Sequence, residues 1–153
     1  MESRKKLLSL SEIKRVMKIN METRWKGKMA FEAGVTGHQV IMDADETVGG
    51  ENLGPRPKAL ILAGLAGCTG MDVISILEKM RVKISEFNIE IEAEQTEEHP
   101  KVYSQITLIY KFKGENLPPD KLEKAVSLSQ ERYCGVSAML GKAAKLDYRI
   151  KIL

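Results

Sequence analysis

Apolar and polar residues alternate near the start of this chain. Met17, Ile19, Met21, Thr23 and Trp25 interleave with Lys18, Asn20, Glu22 and Arg24, and a period of two is that of a strand with one buried face. The following "WKGK" predicts a turn. Two more short strands are expected at residues 28–33 and 38–42, with Gly34 and Gly37 in turn positions between them. Residues 1–50 therefore read as a small antiparallel sheet. "DADETVGGENLGPRP" interrupts the pattern with four acids, three glycines and two prolines, and reads as a loop.

The period changes after Pro55. Pro55 and Pro57 suit the first turn of a helix, whose leading amides lack intrahelical partners. Apolar residues then run to Leu77, so a central helix is expected over residues 55–80. Its first half is apolar on every side, which predicts burial on every side. Gly64, Gly67 and Gly70 recur at every third position and leave a strip without side chains. Each glycine costs about 1 kcal/mol of helix propensity, so the strip is expected to serve close packing against another helix.

"ISEFNIEIEAEQ" and "VYSQITLIYKFK", joined by "TEEHPK", predict a β-hairpin over residues 84–113. Phe87, Ile89, Ile91 and Ala93 fall on one face and Glu90, Glu92 and Glu94 on the other, so one side should be wet. "GENLPPDKLEKAVSLSQERY" reads as a turn and an amphipathic helix, and "CGVSAMLGKAAKL" as a shorter helix beginning near Cys134. Together they place helices over residues 118–146. "DYRIKIL", residues 147–153, is a last strand. Separate runs of strands and helices, without repeating βαβ units, indicate an α+β fold. A chain of 153 residues fits one domain, 1–153.

Composition narrows the function. With 43% apolar and 29% charged residues the chain has the balance of a water-soluble protein, and a net charge of +3 is too small and dispersed for a nucleic-acid surface. The longest uncharged run, residues 59–71, falls short of the roughly 20 residues that cross a bilayer. Only "LLSL" precedes Glu12 and Lys14, too short for the apolar core of a secretory signal. Neither a nucleic acid nor a membrane is expected as a partner, and the cytoplasm is the expected compartment, where a cysteine pair more often serves redox chemistry than structure.

Cys68 in the apolar helix is either a small inert filler or a reactive thiol. A metal site would have to draw on Cys68, Cys134, His38 and His99, which show no short ligand spacing, so none is predicted. "GLAGCTG" lacks the Lys-Ser or Lys-Thr of a phosphate loop, and no cofactor is expected. His99 before Pro100 reads as a turn residue, and Tyr103 and Tyr133 as core or interface aromatics with satisfied hydroxyls.

"GPRPKALILAGLAGCTGMDVISILEKM", then "EEHPKVY", and "QERYCGVSAML" with its cysteine 66 positions after Cys68, resemble the OsmC and Ohr superfamily, most closely its YhfA-like branch. The resemblance runs from about Arg24 to the C-terminus. It implies an OsmC-like fold in which antiparallel sheets wrap a central buried cysteine-bearing helix, in an intertwined homodimer. It also implies reduction of organic hydroperoxides in oxidative or osmotic stress defence. By this resemblance Cys68 is the attacking thiol and Cys134 the resolving one, and a dithiol reductant, lipoyl or small thiol, is the partner that reopens their bridge.

Such chemistry needs a thiolate, which attacks the O–O bond to give a sulfenic acid that a second thiol traps. A thiol with a pKa near 8.5 is only about 3% ionised at pH 7, and burial lowers that fraction further. Cys68 lies about three turns inside its helix, beyond the reach of the N-terminal dipole, so a cation is required. Ohr-type members use an arginine from the N-terminal sheet, oriented by a glutamate at the start of the cysteine helix. Here the glutamate positions hold Lys58 and Ala59. Lys58 is ten residues from Cys68, roughly 15 Å along a helix. Arg24 best matches the arginine, with Arg56 and Arg132 as rivals. Glu131, three residues before Cys134, either orients a base or caps the helix that Cys134 begins. The alternative function is non-enzymatic: a dimer that binds a small apolar ligand between its subunits, with inert cysteines.

Overall fold

Residues 17–153 are described in the computed structural model; the segment containing "LLSL" lies outside them. The chain divides into two units, the first ending at Pro55 and the second running from Arg56 to Leu153.

In the first unit, β1 (Glu22–Gly27), β2 (Ala30–Val35) and β3 (His38–Met42) form an antiparallel sheet in that order. The expected strand over residues 17–25 starts later, at Glu22. Glu22 already pairs with Gly34, one residue from the end of β2, so the residues before it have run out of partner. The second strand also begins later than expected, because Gly27 (φ 107°) and Lys28 (φ 45°) make the turn. Gly34 lies inside β2, and Thr36 and Gly37 turn the chain into β3. Ala30 and Ala33 are buried, whereas Met17, Ile19, Met21 and Trp25 are 61–85% exposed. The acid-rich loop folds around Asp43, which is buried and accepts hydrogen bonds from the amides of Ala44 (2.7 Å), Glu51 (2.9 Å) and Leu53 (3.2 Å). Amide donors of this kind make a buried carboxylate tolerable.

The second unit is built on α1 (Pro57–Lys79), close to its expected limits. Its buried residues, Leu65, Thr69, Val73 and Leu77, recur every four positions and so define a single face. Burial on every side is therefore not met among the described residues: Ile61 is 46% and Met71 75% exposed. The glycines also part company. A Cβ at Gly70 would stand 3.2 Å from the Ile89 side chain, whereas one at Gly64 or Gly67 would meet no described atom within 4 Å. At 3.6 residues per turn, a three-residue spacing drifts about 60° around the helix each time, so the three glycines cannot share one strip.

The hairpin expected over 84–113 is β4 (Glu86–Gln95) against β5 (Tyr103–Lys113), with Phe87 opposite Phe112, Ile89 opposite Tyr110 and Ile91 opposite Leu108. Its outer face is wet as expected, with Glu86 paired to Lys113 and Glu90 to Lys111. After β5 the chain forms α2 (Pro119–Leu128), a π-helical turn (Ser129–Tyr133) and α3 (Gly135–Leu140). The last strand, β6 (Lys145–Ile152), starts two residues before the expected 147 and lies parallel to β5, with Gln105 opposite Lys145. Parallel neighbours require a crossover, which the helices supply. The resulting sheet, in order β4-β5-β6, closes over α1 and α2 with a core that includes Leu65, Val73, Leu77, Leu108, Phe112 and Leu122. Each such side chain contributes about 1.5–3 kcal/mol by leaving water. The fold is α+β, as expected.

Candidate functional site

Cys68 sits midway along α1, half-buried, and Cys134 occupies the N-cap of α3, 3% exposed. Their sulfurs and a carboxylate oxygen of Asp72 all lie within 4.8 Å of one another. Asp72 is one turn beyond Cys68, and residues four apart share a helix face. Cys134 is brought to them through Ser129. The π turn bonds the Cys134 amide to the Ser129 carbonyl at 2.8 Å. The Ser129 hydroxyl donates to Asp72 Oδ2 at 3.0 Å and stands 2.8 Å from Thr69 Oγ1. One serine thus fastens the turn that carries one thiol to the helix that carries the other.

That serine belongs to a buried polar network. Thr69 Oγ1 is 2.7 Å from the Tyr110 hydroxyl, and the Gln130 amide donates to both, at 3.2 Å and 2.6 Å. A carboxylate only accepts, so the direction of the chain follows. Ser129 gives its proton to Asp72, Thr69 gives its proton to Ser129, and Tyr110 gives its proton to Thr69. Thr69 and Ser129 are fully buried, and the network supplies the partners that such burial demands.

Burial pushes the Cys68 thiol above its ordinary pKa, and the hydrogen bond with Cys134 raises it further. The amide of Val136 pulls the other way, while the charges of Cys134 and Asp72 add to the rise. The charged neighbours acting on Cys68 are therefore anionic. Cys134 has a local donor of its own, since its sulfur accepts from the Ser137 amide at 3.3 Å. That bond displaces one of the two roles expected for Glu131: the cap of α3 is the Cys134 sulfur. Glu131 lies exposed in the π turn, where its charge acts on the Tyr148 phenol.

The basic candidates belong to different elements. Arg24 is on β1, in the first unit, with an exposed guanidinium 2.8 Å from Glu22. Arg56 occupies the N-cap position of α1. Arg132 is exposed and lies 5.9 Å from the centre of the Tyr133 ring. Lys58 is engaged by Gln95, by the Lys101 carbonyl and by the Tyr103 ring. Tyr103 has the satisfied hydroxyl expected of it, donating to the Lys58 carbonyl at 3.2 Å, whereas Tyr133 is 56% exposed rather than in the core of this chain. His38 lies on β3 and His99 in the β4–β5 loop, and neither belongs to the cysteine cluster.

Asp72 and Ser129 were not among the expected site residues. A signal for Asp72 was present: between Lys58 and Ser75, Thr69 and Asp72 are the polar interruptions of an apolar helix, and both flank Cys68. Two hollows adjoin α1. One, of about 590 Å³, is an apolar groove along Ala66, Gly67, Gly70, Met71, Phe87 and Ile89. The other, of about 380 Å³, is bordered by Asp72, Ile76, Lys79, Met80 and Tyr133.

The family model for OsmC-like proteins matches residues 49–149. Protein YhfA of Escherichia coli K12 is 32% identical over 131 residues, which cover 85% of this chain and 95% of that protein. Among solved structures, a hypothetical protein from Aquifex aeolicus VF5 superposes with a TM-score of 0.75 at 28% identity, covering 90% of this chain and 99% of the other. The organic hydroperoxide resistance protein OhrB of Bacillus subtilis shares the fold, with a TM-score of 0.58 at 17% identity over 88% of this chain and 98% of its own. With its cysteine-bearing helix, its two sheets and these relatives, the chain belongs to the OsmC-like protein family and has the OsmC-like fold.

Proposed function

We propose that this chain is a thiol-dependent peroxidase that reduces organic hydroperoxides in stress defence. The observation that carries the reading is the meeting of Cys68 and Cys134, whose sulfurs lie within 4.8 Å across 66 positions of sequence. The Cys68 thiolate attacks the O–O bond, an S–O bond forms, and the leaving alkoxide takes a proton to become an alcohol. The Cys134 thiolate then attacks the sulfenic acid, an S–S bond forms, and hydroxide leaves as water. Two electrons from two thiols balance the reduction of ROOH to ROH and H₂O. A dithiol, lipoyl or small, reopens the bridge.

The apolar groove along α1 supports an organic substrate over hydrogen peroxide. The exposure of Ile61 and Met71 among the described residues supports a homodimer as the working unit, and a reducing cytoplasm suits the dithiol partner. Arg24 keeps, by resemblance, the role of the cation; Asp72, rather than Glu131, is the carboxylate beside the thiols.

About one equivalent of cumene hydroperoxide should remove both free thiols and yield the Cys68–Cys134 disulfide, faster than hydrogen peroxide does. Cys68→Ser should stop turnover, Cys134→Ser should halt it at a sulfenic acid trapped by dimedone, and Arg24→Met should slow thiol loss at neutral pH. Persistence of both thiols would end this reading. One observation favours a second: burial, Cys134 and Asp72 push the Cys68 thiol above its ordinary range. A non-enzymatic dimer that binds a small apolar molecule would keep its thiols under peroxide and retain a fluorescent fatty-acid probe after Cys68→Ser.

A further inference from the structure

Three side chains that bind thiophilic cations converge in the second unit from two separate elements. Cys68 and Asp72 come from one face of α1, and Cys134 from the start of α3, with their ligand atoms within 4.8 Å of one another. A tetrahedral zinc site with Zn–S near 2.3 Å and Zn–O near 2.1 Å needs separations of about 3.5–3.8 Å between ligand atoms, so the atoms need close by no more than about 1.3 Å. Side-chain rotation can supply this.

The surroundings have the other marks of a metal site. Ligating groups are normally held by outer hydrogen bonds, and each of the three has one here, Cys68 from the Val136 amide. Ser129 donates to Asp72 Oδ2 at 3.0 Å, and the Ser137 amide donates to the Cys134 sulfur at 3.3 Å. Ser137 itself is 96% buried by exposure of only 4%, and its hydroxyl has no partner among the described residues, which leaves a polar atom to spare in the turn that presents Cys134. Asp72 also borders the 380 Å³ hollow. The charge balance agrees: two thiolates and a carboxylate bring three negative charges together, and a divalent cation offsets two of them.

We propose that reduced Cys68 and Cys134, together with Asp72, bind one thiophilic divalent cation of the Zn²⁺ class, leaving a fourth position open. Thiolate ligands select zinc over magnesium or calcium, and three protein ligands with an open position are the arrangement of exchangeable or catalytic rather than closed structural zinc. Binding displaces the thiol protons and involves no electron transfer. A bound cation also occupies both sulfurs, so metal loading and peroxide reduction compete for one pair of thiols.

The test is a Co²⁺ titration of the full chain, reduced and stripped of metal, followed by displacement with Zn²⁺ in the presence of a chromophoric chelator. One equivalent of Co²⁺ per chain should produce a thiolate-to-cobalt charge-transfer band and the intense visible bands of a tetrahedral site, and Zn²⁺ should abolish both. Cys68→Ser and Cys134→Ser should each remove about half of the charge-transfer intensity. Asp72→Asn keeps the side-chain shape and should weaken Zn²⁺ binding about 10- to 100-fold, and Ser129→Ala about tenfold, with circular dichroism confirming that each variant is folded. Absence of the charge-transfer band, or affinity indifferent to Asp72→Asn, would overturn the inference. Thiol loss to cumene hydroperoxide, measured on the metal-free chain, is a separate readout and stands or falls by itself.

Discussion

The two sides of α1 follow opposite rules. On one, Leu65, Thr69, Val73 and Leu77 are closed off by β5 and α2, down to a polar network with every hydroxyl engaged. On the other, Ile61, Gly64, Gly67 and Met71 stand open. The sequence is apolar on both. Apolarity therefore reports that a surface is to be covered, without reporting whether the cover comes from the same chain. Leu65 and its neighbours answer to folding, and Met71 is the surface on which the proposed dimer would draw. Cys68, half-buried, lies between them.

The largest expected effect lies on the closed side. Leu65→Ala or Leu77→Ala should cost about 2–5 kcal/mol in urea denaturation, since each opens a cavity in a packed core. Thr69→Val comes next. It keeps the shape but leaves the buried Tyr110 hydroxyl without its acceptor and takes one partner from Gln130 and Ser129, for about 1–3 kcal/mol by the same measurement. Met71→Asp on the open side should change the stability of single chains by no more than about 0.5 kcal/mol, while shifting sedimentation at micromolar concentration toward the single chain. If Met71→Asp unfolds the protein as Leu65→Ala does, the contrast between the two sides fails.

A smaller effect sharpens the position of Cys68. Its thiol is raised by burial, by Cys134 and by the Asp72 charge, so its iodoacetamide alkylation rate should climb only above the pH of an ordinary thiol. Removing a negative charge favours the thiolate. Asp72→Asn should therefore move that profile to lower pH, and a move to higher pH would contradict the described geometry.

The elements that the sequence made legible are those with a local cause. Pro57 marked the start of α1, alternation marked β4 and β5, and Cys134 followed by glycine marked the start of α3. What was not legible depends on distant partners. β6 alternates as any strand does, and nothing in its residues distinguishes parallel from antiparallel pairing with β5. The truncation of β1 is decided by where β2 ends. Within the site, the cysteines were visible as residue types, but Asp72 acquires meaning only once Ser129 has drawn Cys134 to it. The pairing of the sulfurs therefore belongs to tertiary structure.

The π turn at residues 129–133 has a consequence for chain length. It accommodates one residue more than an α-helical turn, so deletion of a single exposed residue such as Arg132 would let the segment rewind, turning everything beyond it by about 100°. Most surface segments tolerate gain or loss of a residue, but here spacing matters as much as identity. Relatives that keep both cysteines yet differ by one position between them would have to seat the second sulfur by some other route.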